Sequence, residues 1–118
     1  MTVGDEFVVQ GPRTLRGRLR VPGCKGISHR ALLFGALADG TSRIRGLAGG
    51  DDVDRTRAAL AQLGVSITST GPGELTVQGV GVERLIEPAT VLDCANSGTS
   101  MRMLAGLEEI SDGEIKIG

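Results

Sequence analysis

The stretch Pro22-Gly23-Cys24-Lys25-Gly26-Ile27-Ser28-His29-Arg30-Ala31-Leu32-Leu33 runs a turn into a helix and places charge at the join. Pro22 and Gly23 end an extended run, because proline lacks the ladder N–H and glycine tolerates the turn. The residues that follow are good helix formers. Their spacing predicts a helix over 27–38 with Ile27, Ala31, Phe34 and Ala38 inward, broadened by Leu33 and Leu37, and with Gly40 as its C-terminal cap. A helix start carries unpaired amide N–H groups and the positive end of the helix dipole, and both attract phosphate or carboxylate. Lys25 and Arg30 add a mobile and a forked cation beside it.

Upstream, residues 6–10 and 14–21 read as strands. The second alternates, with Leu15, Gly17, Leu19 and Val21 on one face and Arg16, Arg18 and Arg20 on the other. Downstream, 41–47 reads as a short strand with Ile44 inward. A second helix starts where Asp51 can cap backbone amides and stops at Gly64, with Val53, Thr56, Leu60 and Leu63 as its buried stripe. Residues 65–70 and 74–80 flank Gly71-Pro72-Gly73, the signature of a hairpin with a glycine-containing turn. A strand is expected over 90–94, a third helix over 97–107 and a last strand over 113–118. The order strand, helix, strand, helix, strand, strand describes one α/β (α+β) unit over residues 1–86, and 87–118 begins to repeat it.

The third helix opens with the same chemistry as the first. Asp93-Cys94-Ala95-Asn96-Ser97-Gly98-Thr99-Ser100-Met101-Arg102 sets small polar residues at a helix start and Arg102 about one turn in. Such residues cap helices more often than they bind ligands, so two readings stay open, caps or anion sites. Asp51 and Asp52 between them read mainly as capping carboxylates.

Composition narrows the function class. The chain has 118 residues, 40% of them apolar and 23% charged, which suits one domain with a core of Ala, Leu, Val and Ile. A net charge of −1 and two Phe as the only aromatics argue against nucleic acid as partner. Cys24 and Cys94 stand far apart and there is one His, so no metal site is expected. The nineteen glycines read as turn and cap punctuation. Neither a signal peptide nor a membrane-spanning apolar stretch is visible, so a reduced cytoplasmic location is the expectation. Residue chemistry alone leads to an anion-binding α/β domain.

The two turns carry a resemblance. Leu15-Arg16-Gly17, Val21-Pro22-Gly23, Lys25 and Ile27-Ser28-His29-Arg30-Ala31-Leu32-Leu33 resemble the N-terminal signature of EPSP synthases, of the P-G-x-K-S-x-S-x-R-A-L-L type. Leu37-Ala38-Asp39-Gly40-Thr41-Ser42, Asp51-Asp52-Val53 and Leu60-Ala61-Gln62-Leu63-Gly64-Val65 continue in register. Asn96-Ser97-Gly98-Thr99-Ser100-Met101-Arg102 is similar to the family's second signature, N-[SA]-G-T-x-x-R. The likeness covers residues 13 to 107.

That resemblance implies one βαβαββ unit of the enolpyruvyl transferase inverse-barrel architecture plus the beginning of a second. It also implies enolpyruvyl transfer from phosphoenolpyruvate to the 5-hydroxyl of shikimate 3-phosphate, in aromatic amino acid biosynthesis, without metal or organic cofactor. Lys25 matches the lysine that contacts phosphoenolpyruvate and its mimic glyphosate, and Arg30 the arginine that binds shikimate 3-phosphate. Asn96, Gly98, Thr99 and Arg102 match the loop lining the phosphoenolpyruvate pocket, where a side chain at 98 would intrude on glyphosate. Gly26 stands where the family's usual Ser binds the shikimate phosphate, Ala95 where Gly is usual, and Met103 where Pro or Leu is usual. The family's residues for proton transfer lie in later parts of its longer members, so no catalytic residue is assigned to this chain. It is expected to be incomplete alone and to bind the two substrates weakly unless a C-terminal segment complements it. The alternative is a non-catalytic anion-binding fragment of the same fold. After Leu107 the tail resembles a segment of ABC transporter ATPases, although no P-loop lysine follows Gly98.

Overall fold

The computed structural model describes residues 2–3, 5–88, 90–94 and 97–108. Two short strands open the chain, β1 (Thr2–Val3) and β2 (Glu6–Phe7), paired antiparallel. Helix α1 (Lys25–Leu37), strand β3 (Asp39–Arg45), helix α2 (Asp51–Gln62), strand β4 (Ser66–Gly71) and strand β5 (Glu74–Val80) follow. A 3-10 turn (Val82–Arg84) leads towards helix α3 (Gly98–Glu108). Strands β3, β5 and β4 form an antiparallel sheet in that order, with Ser42 opposite Val77 and Ile67 opposite the same residue. Helices α1 and α2 pack on the sheet and α3 packs on α2. The mixed α/β architecture expected from the sequence is present.

The core lies between the helices and the sheet. Leu75 and Val77 alternate inward from β5, and Leu32 and Ala36 of α1 meet Val53, Ala59 and Leu60 of α2. Leu92, Cys94, Leu104 and Leu107 close it on the α3 side. Helix α2 buries the stripe read from sequence: Val53, Thr56, Leu60 and Leu63 are all buried. Gly64 then takes φ +93, a left-handed conformation that suits glycine, and stops the helix as expected.

Several readings change. Helix α1 starts at Lys25, two residues early, and ends at Leu37 with Ala38, not a glycine, as its C-cap; Gly40 lies inside β3. Its buried face is Ser28, His29, Leu32, Gly35 and Ala36, while Ile27 and Phe34 are exposed. Because α1 is apolar on nearly every side, spacing alone cannot choose the face, and the sheet chooses it through the small Gly35. A Cβ at Gly35 would lie 3.5 Å from Val77, and one at Gly79 would collide with the carbonyl oxygens of Ala38 and Gly35. Gly79 is therefore a packing residue, not a turn.

Residues 8–24 form no strand; only Glu6–Phe7 of the expected 6–10 pairs. A strand exists by virtue of its neighbour, and the 14–21 segment has none among the described residues: Leu15 is 90% and Leu19 87% exposed. The expected strand over 90–94 reduces to an isolated bridge at Leu92. The expected strand over 113–118 lies outside the described residues. No helix is long and apolar enough to cross a membrane among the described residues.

Candidate anion site

The starts of all three helices converge. Lys25, the first residue of α1, forms a 2.8 Å ion pair through Nζ with Asp52 Oδ2 in the first turn of α2. Ser100, in the first turn of α3, donates through Oγ to the main-chain carbonyl of Asp52 at 3.1 Å. Arg55 of α2 lies 3.6 Å from Asp51 and 3.6 Å from Asp93, tying α2 to the chain that leads into α3. The loop before α2 is fixed to α1 as well. Ser28 Oγ donates to the Cys24 carbonyl and accepts from the Ala48 N–H, and a Cβ at Gly23 would collide with the Gly46 carbonyl oxygen. Gly23 serves this backbone contact rather than a ligand's approach.

Electrostatically the three starts differ. Helix α2 carries Asp51, Asp52 and Asp54 in its first turn, which compensate its own dipole. Helices α1 and α3 have no acidic residue there. Arg30 and Arg102 are exposed and form no hydrogen bond or ion pair with any described residue. The Cys24 thiol reports the field at α1: the N–H groups of Ile27 and Gly26, with the Arg30 charge behind them, lower its pKa below the ordinary cysteine value. The Lys25 hydrogen bond likewise holds the Asp52 carboxyl below the usual carboxylate range.

A model of one enzyme family matches residues 9–117: EPSP synthase (3-phosphoshikimate 1-carboxyvinyltransferase). The chain belongs to the EPSP synthase family. A 3-phosphoshikimate 1-carboxyvinyltransferase from Synechococcus sp. (strain CC9605) is 55% identical over 101 residues, covering 85% of this chain and 23% of that protein. The enzyme of the same name from Halorhodospira halophila is 53% identical over 104 residues, covering 88% of this chain and 23% of its own length. The EPSP synthase from Acinetobacter baumannii superposes with a TM-score of 0.73 at 46% identity, over 77% of this chain and 21% of that one. This chain thus spans about a quarter of the EPSP synthases it matches.

Of the site residues expected in an EPSP synthase, Lys25 and Gly26 open α1 and Arg30 stands on its exposed side. Gly26 leaves room: a Cβ there would sit 4.0 Å from the Arg30 guanidinium nitrogens. Gly98 and Thr99 open α3, and a Cβ at Gly98 would make ordinary contact with Arg102 at 3.7 Å. Asn96 lies outside the described residues, as does Ala95.

Asp52 departs from its expected role. Gly50 is the α2 N-cap and no side chain caps the helix, so Asp52 serves as the partner of Lys25. Sequence reading also passed over a buried polar chain between the helices. His29 Nδ1 lies 2.8 Å from Thr56 Oγ1, Thr56 Oγ1 2.6 Å from Ser100 Oγ, and Ser97 Oγ donates to Ser100 Oγ at 2.7 Å. Thr56 stood inside an otherwise apolar stripe, the one signal that could have flagged this polar chain. Among the described residues no group of His, Cys, Asp or Glu could hold a metal ion.

Proposed function

We propose that this chain supplies one wall of the substrate site of an enzyme that transfers the enolpyruvyl group of phosphoenolpyruvate to the 5-hydroxyl of shikimate 3-phosphate. The single observation behind this reading is the convergence of the α1 and α3 starts on α2, each bare of acidic residues and each beside an uncommitted arginine. In this role Lys25 and Arg102 face phosphoenolpyruvate, Arg30 faces shikimate 3-phosphate, and Gly26, Asn96, Gly98 and Thr99 supply backbone donors and clearance. Both substrates are polyanions. Fixed positive charge offsets their mutual repulsion and orients them, which is where such a transfer gains its rate. No group on this chain is assigned to proton transfer, so turnover requires a complementing C-terminal segment.

The same reading takes residues 1–86 as a first βαβαββ unit and 87–118 as the start of a second. The ABC-ATPase-like look of the tail brings no nucleotide chemistry into this role. A cytoplasmic setting without cofactor and glyphosate competition at Lys25 and Gly98 belong to the same reading.

The test is phosphate release from both substrates with and without a separately supplied C-terminal segment. Activity is expected only in the mixture, and Lys25→Ala should lower it about a hundredfold or more. Full activity with Lys25→Ala removes that residue from the site. Phosphate-induced amide shifts at Gly26 and Thr99 without turnover in any mixture would leave the non-catalytic anion-binding fragment as the correct reading.

A further inference from the structure

The buried chain between the helices fixes its own protons. The Asp52 carbonyl can only accept, so the single hydroxyl proton of Ser100 goes to it at 3.1 Å. Ser97 donates to Ser100 through Oγ and accepts from the Ser100 N–H at 3.1 Å. The 2.6 Å contact between Thr56 and Ser100 is then satisfied only with Thr56 as donor. Having spent its proton, Thr56 must accept from His29, so the proton of His29 sits on Nδ1. Nε2 is left as a bare lone pair, buried and without a partner among the described residues.

A second proton at Nε2 would put a charged donor where nothing accepts it, and burial lowers the His29 pKa for that reason. The charged groups around the ring oppose each other: Asp52 on α2 favours the imidazolium and Lys25 on α1 disfavours it. Helix α3 and its lead-in contribute only the neutral Ser97 and Ser100 to the chain. The Nδ1–H bond to Thr56 survives that protonation, so its cost is the burial of an unaccepted charge at Nε2, and the packed arrangement of the three helix starts is favoured while the ring is neutral.

We infer that His29 is a positioning residue, a neutral Nδ1–H imidazole that latches the start of α1 to the starts of α2 and α3 and thereby sets Lys25 and Arg30 against Gly98 and Arg102. The latch itself stands on hydrogen bonds; its consequence for ligands rests on the proposed function. The sign follows from the depressed value. The latch is complete above the ordinary histidine pKa of about 6.5 and is lost as pH falls through the lower value of the folded chain. Asp52, itself held below the ordinary carboxylate range, stays ionised across that window.

The chain contains one histidine, so nitrogen NMR of the imidazole reads this residue alone. The expected spectrum has a protonated Nδ1, an unprotonated Nε2 and a titration midpoint below about 6.5. Thr56→Val, which deletes the acceptor, should release the tautomer. Inorganic sulfate, whose charge is constant over the range, probes the consequence. Its affinity should fall by up to about tenfold per pH unit below the His29 midpoint. His29→Asn keeps a side-chain N–H at the Nδ1 position but takes no proton, so it should bind sulfate with no such pH dependence. An Nε2–H imidazole, a midpoint at or above about 6.5 (which an unfolded chain would also give), or unchanged pH dependence in His29→Asn overturns the latch. Absent sulfate binding beside a depressed Nδ1–H imidazole overturns the anion site and leaves the latch standing.

Discussion

Cys24 and Cys94 have the same side chain in opposite surroundings. Cys24 is exposed at the α1 start, where amide N–H groups stabilise its thiolate, whereas burial and then the Asp93 charge push the Cys94 thiol up. Alkylation proceeds through the thiolate, so iodoacetamide should modify Cys24 more than about tenfold faster than Cys94 at neutral pH. The Cys24 rate should also reach its plateau at a lower pH than that of free cysteine. Mass mapping after a timed reaction decides it; equal rates would mean that the α1 start exerts no such field. Several residue roles are of a kind that sequence rarely yields. Lys25 was legible as a cation at a helix start, but its pairing with Asp52 spans 27 positions. His29 resembles any polar residue early in a helix until Thr56 and Ser100 come to face it.

The elements were legible in proportion to how locally they are determined. The 74–80 strand and its turn, the α2 stripe and the Gly64 stop all follow from short-range chemistry and were readable to within a residue. The face of α1 was not, since Ile27, Ala31, Leu33, Phe34 and Leu37 offer apolar surface almost all round, and only the sheet decides between them. Two substitutions separate the faces. Leu32→Ala, at a fully buried position, should cost about 2–5 kcal/mol, and Phe34→Ala, 63% exposed, about 0.5 kcal/mol or less. Urea unfolding of the two variants provides the comparison. A large loss from Phe34→Ala would return the helix to the orientation expected from its spacing.

At the scale of the whole molecule, α1, α2, α3 and the three-stranded sheet share one core, while the segment before α1 contributes nothing to it among the described residues. Residues 14–21 keep the alternation of a strand but pair with no strand among the described residues, and Leu15, Leu19 and Val21 stand in water. An extended segment with free backbone groups can pair with its equal on another copy, and Arg16, Arg18 and Arg20 are the obstacle to that pairing. Three like charges on one short face repel their counterparts over a distance that shrinks from about 30 Å at 0.01 M salt to about 3 Å at 1 M. The colloidal behaviour of the protein therefore runs against the usual expectation for a chain of net charge −1. Adding sodium chloride should bring molecules together, raising static light scattering reversibly on dilution, and replacing the three arginines with serine should remove that salt dependence while promoting association even in dilute buffer.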